Sequence, residues 1–159
     1  MLQSPLAIWK DSYLWSDFPQ ALAQLQENFD NLQSQYHLDN QRIVIAGQGS
    51  SAEIAIKLIL SGEIRAMGFI AVDPLNLEIQ DLKEWTRDSI AGMPYELRAV
   101  FYLSENYYSD KWEYFKRVQE FFNEAGILCH IETYRISENK SWVENFDSMT
   151  KILAVFDLH

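Results

Sequence analysis

The sequence is short of the residues that build many familiar sites. One cysteine, Cys129, stands among 159 residues, so no disulfide can close within the chain. It lies in the apolar run Ile127-Leu-Cys-His-Ile131, where a thiol reads as buried filler and suits a reducing cytoplasm. Histidine occurs three times, at His37, His130 and His159, and neither C-x-x-C nor H-x-x-x-H spacing is present. No metal and no cofactor are expected on that ground. Basic residues are scarce too. Lys and Arg number 13 against 23 Asp and Glu, a formal charge of −10 that repels polyanions, so nucleic acid is not an expected partner. No run approaches the roughly 18 apolar residues of a membrane span, and the start lacks the basic and apolar regions of an export signal. The expectation is a cytoplasmic protein with no membrane partner.

What is present is an apolar fraction of 48% and an alternation of short β-branched or aromatic runs with stretches of helical period. That alternation is the mark of βα units around a parallel sheet. It predicts strands over Arg42 to Gly47, Gly68 to Asp73, Arg98 to Ser104 and Ile127 to Tyr134. Asp17 to Tyr36 carries Phe18, Ala21, Leu22, Leu25, Phe29, Leu32 and Tyr36 at steps of three and four, which predicts an amphipathic helix capped by Asp17. Ser51 to Leu60 is apolar on most sides and should lie deep against the sheet. Asp110 to Ala125, with Asp110 as cap, and Trp142 to Phe156 are further helices, and Leu77 to Ile90 is a weaker one. The fold class read from this is α/β: one domain over residues 1–159, a three-layer sandwich with about four mostly parallel strands and helices on both faces.

The turn after the first strand, Ala46-Gly-Gln-Gly-Ser-Ser-Ala52, has two chemical readings. Gly47-x-Gly49-x-x-Ala52 matches the dinucleotide fingerprint, and Asp73 follows Ala52 by 21 positions, as a ribose-binding acid would. Alternatively the turn is a nucleophile elbow of G-x-S-x-G type. Tyr13-Leu-Trp-Ser-Asp17, the helix running to Tyr36-His-Leu-Asp-Asn40, the strand Arg42 to Gly47, Ile54-Ala-Ile-Lys-Leu-Ile-Leu-Ser-Gly62 and Gly68 to Val72 together resemble the carboxylesterase/phospholipase branch of the α/β-hydrolases.

That resemblance implies a Ser-acid-His triad, and its positions fall on Gly49, Tyr107 and Lys140 in this chain. None carries the family's chemistry. Ser50 and Ser51 are the fallback nucleophiles, and Glu105 or Asp110 could stand in for the acid. The reading is therefore a degenerate esterase homologue, without serine-hydrolase activity, that binds a small molecule or a partner near Gly49, Ser50, Ser51 and Asp73. An esterase acting through Ser50 or Ser51 is one alternative, and a dinucleotide binder using Gly47, Gly49 and Asp73 is the other. The resemblance also implies earlier strands and an oxyanion loop, for which too few residues precede Tyr13. Arg42 to Gly47 is then an open sheet edge, covered by Leu6 to Trp9, by a second copy in a homo-oligomer, or by the earlier strands of a longer chain from which this one is truncated.

Bland readings account for the rest. Glu78, Asp81, Glu84 and Asp88 form a solvated helix face, and Trp9, Tyr13, Trp15 and Phe18 anchor a core. Tyr107, Tyr108, Trp112 and Tyr114 are placed to line the far side of the pocket. His130 is a packed or hydrogen-bonded strand residue.

Overall fold

The computed structural model describes residues 6–9, 12–14, 18–39, 42–86, 96–135 and 146–157. Within them the chain runs β1 (Leu6–Trp9), β2 (Ser12–Leu14), α1 (Phe18–Gln35), β3 (Val44–Gln48), α2 (Ser50–Leu60) and β4 (Gly68–Val72). It continues through α3 (Ile79–Thr86), β5 (Arg98–Ser104), α4 (Glu105–Glu124), β6 (Leu128–Tyr134) and α5 (Phe146–Val155). Strands β3, β4, β5 and β6 form one parallel sheet in that spatial order, with Ile45 opposite Phe69, Phe69 opposite Ala99 and Ala99 opposite Cys129.

Side-chain alternation divides this sheet between two cores. Phe69, Ala71, Ala99, Phe101 and Leu103 point to one face, where they meet Ala52, Ile56 and Ile59 of α2, Leu82 of α3 and Phe115, Val118 and Phe122 of α4. Ile70, Val72, Val100, Tyr102 and Tyr134 point to the other and are covered by Ile152 and Phe156 at the α5 end. Three layers result, as the continuous apolar strands require. Helix α2 is buried on a second side as well, because Ile54 and Leu58 meet Ala21 of α1 with Leu22, Leu25 and Phe29 around them.

The two central strands are the buried ones. β4 is buried throughout, and β5 is buried except for Arg98, whereas β3 leaves Ala46 and Gln48 exposed. β3 pairs with β4 alone among the described residues.

Several expectations are corrected here. Leu6–Trp9 does not cover the β3 edge; it pairs antiparallel with Ser12–Leu14 in a separate two-stranded sheet. Helix α4 begins at Glu105, with Ser104 at the cap position, and Asp110 is the last residue before a break at Lys111 (φ −123°, ψ 17°) rather than a cap. Leu32 and Tyr36 are exposed, because α1 outruns α2 and finds nothing to cover its last turns. Trp15, Asp17, Asp88, Lys140 and His159 lie outside the described residues, as do the side chains of Trp9, Tyr13 and Phe18.

Candidate functional site

The turn between β3 and α2 is built on two glycines with different reasons for being glycine. A Cβ on Gly47 would lie 2.2 Å from the Ser51 carbonyl oxygen, so the close approach of strand to helix excludes any side chain. Gly49 is the single residue between Gln48, which ends β3, and Ser50, which starts α2. Its φ of 60° and ψ of −126° lie where L-residues carry strain, yet a Cβ there would meet nothing nearer than Leu75, at 3.7 Å. In the pattern G-x-S-x-G this is the third position, where the nucleophile stands. The bend is therefore of the sharp strand-to-helix kind, has room for a side chain, and carries none.

Ser50 and Ser51 follow in the first turn of α2, both half-buried. Among the described residues no imidazole is bonded to either hydroxyl. His130 sits on β6 with its Nε2 3.4 Å from Glu132, whose other oxygen accepts from Lys151 at 2.9 Å. His37 is exposed beyond the end of α1. Hydroxyl activation needs a base within hydrogen-bond reach, held in turn by a third group, and this arrangement does not supply one.

Asp73 ends β4 beside the bend. The Gly49 N–H donates to the Val72 carbonyl at 2.9 Å, which fastens the bend to that strand. Asp73 itself takes a positive φ of 41°, a conformation Asp tolerates better than most residues. Its carboxylate is held inward. Oδ1 accepts the Ser104 N–H at 2.7 Å, and Oδ2 accepts the Tyr134 hydroxyl at 2.5 Å. Burial first, and the bond to Asp73 second, push the Tyr134 hydroxyl well above the usual phenol range.

The loop after Asp73 is clamped over the bend from three sides. Tyr107 and Tyr114, two helical turns apart on α4, donate to the carbonyls of Pro74 and Leu77. Glu53 of α2 accepts the Asn76 N–H at 2.7 Å. Lys111 lies over the Tyr107 ring at 4.5 Å and donates to its hydroxyl at 3.1 Å. Tyr114 is also raised above the phenol range, by burial and then by Tyr107 and two nearby carboxylates. These tyrosines fasten the loop, while Trp112 between them remains about half exposed.

Glu105 heads α4 and pairs with Arg135, immediately after β6, with Nε 3.0 Å from both carboxylate oxygens. The structure thus brings together Gly49, Ser50, Ser51 and Asp73 at the ends of β3 and β4, and places Tyr107 beside them. Tyr134, Ser104 and Arg135 were missed by sequence reasoning. Asp73 stands out in the sequence by its spacing of 21 positions from Ala52, but the partners of its carboxylate lie 31 and 61 residues away. Among the described residues no group of His, Cys, Asp and Glu could hold a metal ion, and no helix is long and apolar enough to cross a membrane.

No family model matches the chain, and no curated protein does. Solved structures do. A structure of YahD with malic acid superposes with a TM-score of 0.57 at 12% identity, over 90% of this chain and 66% of that one. The Bacillus cereus carboxylesterase gives 0.57 at 16% identity, over 97% and 68% of the two chains. The apoenzyme of S-formylglutathione hydrolase (FrmB) from Staphylococcus aureus gives 0.54 at 10%, over 89% and 66%. The chain spans about two thirds of the length of these structures. Its four parallel strands and surrounding helices are an α/β-hydrolase-like fold.

Proposed function

We propose that the chain is a degenerate relative of the carboxylesterases, without serine-hydrolase chemistry, that keeps a small-ligand or partner site over Gly49, Ser50 and Ser51. The observation that carries this reading is Gly49 itself: the residue at the strained bend has φ 60° and ψ −126° and no side chain. Attack on an ester needs an oxygen at that point and a base beside it. Slipping the role to Ser50 or Ser51 moves the hydroxyl by about 100° per residue around the start of α2.

Two further features support it. The resemblance sets its acid at Tyr107, whose hydroxyl is spent on the Pro74 carbonyl. A dinucleotide reading is disfavoured by the described strands of the sheet, whose order β3-β4-β5-β6 has no reversal to open a crevice, and by Asp73, whose oxygens already hold internal donors. The reading extends to the chain's surroundings. A buried Cys129 fits a reducing, cytoplasmic setting, and the β3 edge, uncharged from Ile43 to Gly49, fits pairing with a second copy.

Hydrolysis of short-chain p-nitrophenyl esters tests the reading. The expected rate equals that of a Ser50→Ala, Ser51→Ala double variant at the same protein concentration. Turnover that the double substitution abolishes would establish an active esterase instead.

A further inference from the structure

Among the described residues, a group of side chains meets at the C-terminal ends of β5 and β6, one strand beyond Asp73. Ser104, Glu105, Asn106 and Arg135 line an open depression of about 200 Å³, roughly the volume of seven water molecules. Ser104 is 5% exposed and stands at the cap position of α4, yet its hydroxyl makes no capping bond. Its N–H is committed to Asp73, and its hydroxyl has no partner among the described residues. A hydroxyl that lines the depression can donate to and accept from whatever occupies it.

The rim carries one charge of each sign. A single N–H of Arg135 is shared by the two Glu105 oxygens at 3.0 Å. Among the described residues the other four guanidinium N–H groups and the remaining carboxylate lone pairs have no partner. Both side chains are substantially solvated, 86% and 47% exposed, so their mutual attraction is weak enough to share with a ligand. Asn106 adds one more donor and acceptor.

Charge balance selects the occupant. An anion would meet Glu105 and a chain of net charge −10, and a cation would meet Arg135. A small zwitterion satisfies both. We propose that this depression binds a free α-amino acid with a small side chain. Its carboxylate lies on the Arg135 guanidinium and the Ser104 hydroxyl, and its ammonium on Glu105 and the Asn106 side-chain carbonyl. The site does not depend on what Gly49 does.

Titration of the ¹⁵N-labelled full chain by NMR, at constant ionic strength, tests this with L-alanine, acetate and methylammonium as separate probes. Alanine should shift the Ser104 to Asn106 and Arg135 signals saturably, with a Kd on the order of 1 mM. Acetate and methylammonium should each bind at least about tenfold more weakly. Glu105→Gln should weaken alanine roughly tenfold and bring alanine and acetate to equal affinity, a change of ligand ranking that loss of a merely structural ion pair would not produce. Ser104→Ala should weaken alanine by roughly fivefold with the spectrum still that of a folded chain. Acetate binding wild type as tightly as alanine, an unchanged alanine affinity in Glu105→Gln, or no saturable shift with alanine would overturn the proposal.

Discussion

Tyr134 and Asp73, 61 residues apart, share a 2.5 Å hydrogen bond that ties the end of β6 to the end of β4, across the intervening β5. Asp73 accepts the Ser104 N–H with its other oxygen, so one carboxylate joins three strand ends. Tyr134→Phe removes the donor and leaves a half-buried carboxylate under-satisfied. The expected loss is about 2 kcal/mol of unfolding free energy in urea, and an unchanged denaturation midpoint would show that the bond contributes nothing.

The two bend glycines should respond oppositely to a methyl group. Gly47→Ala drives a Cβ to 2.2 Å from the Ser51 carbonyl and forces strand and helix apart, at about 3 kcal/mol or more. Gly49→Ala meets only Leu75, at an ordinary 3.7 Å contact, and bears the strain of its positive-φ backbone, about 1–2 kcal/mol. Thermal unfolding of the pair checks the ranking, and equal losses would contradict it.

Loosening the clamp should act locally. Tyr107→Phe and Tyr114→Phe each remove a donor to the loop above the bend, at about 1 kcal/mol apiece. Amide hydrogen exchange at Leu75 and Asn76 should speed up in both variants, while β5 amides keep their protection. Faster exchange throughout the sheet would assign the tyrosines to global stability instead.

Alkaline pH should destabilise the protein through Cys129. Burial lifts its thiol from 9.0 to about 12. Between those values the unfolded thiol loses its proton while the folded one keeps it. The folded state then binds more protons, and stability falls by roughly 1.4 kcal/mol per pH unit as pH rises. Below pH 9 this contribution is fully present. Cys129→Ala should flatten the slope of stability against pH across that window, and an unchanged slope would refute the assignment.

The strands were legible because a parallel sheet covered on both faces writes each strand as a continuous apolar run, as in Gly68–Val72 and Arg98–Ser104. Helix α2 announced itself by being apolar nearly all round, and the structure explains why: it packs on the sheet and under α1 at once. The β1–β2 hairpin was not legible, since Ser12–Leu14 is too short for a pattern. The start of α4 was hidden for another reason. Glu105 to Asp110 is polar and aromatic, without the apolar period that marks the helix beyond Lys111. At the candidate site the missing side chain of Gly49 could be read directly, whereas the Asp73 and Glu105 contacts join residues 30 to 61 positions apart and leave no local signal.

The β3 edge gives a prediction about assembly. Val44 to Gln48 carries no charged residue and no proline that would blunt an open strand. Sedimentation equilibrium should show a dimer that Ala46→Lys, at an exposed position of that strand, converts to monomer. A wild-type monomer at high concentration would remove the second copy from the account.

The central claim is that no hydroxyl at the bend can be activated, and a fluorophosphonate probe addresses it directly by forming a covalent bond with any nucleophilic serine. Intact-mass analysis of the native chain after prolonged incubation should show the unmodified mass alone. A stoichiometric adduct that peptide mapping places on Ser50 or Ser51 would contradict the claim.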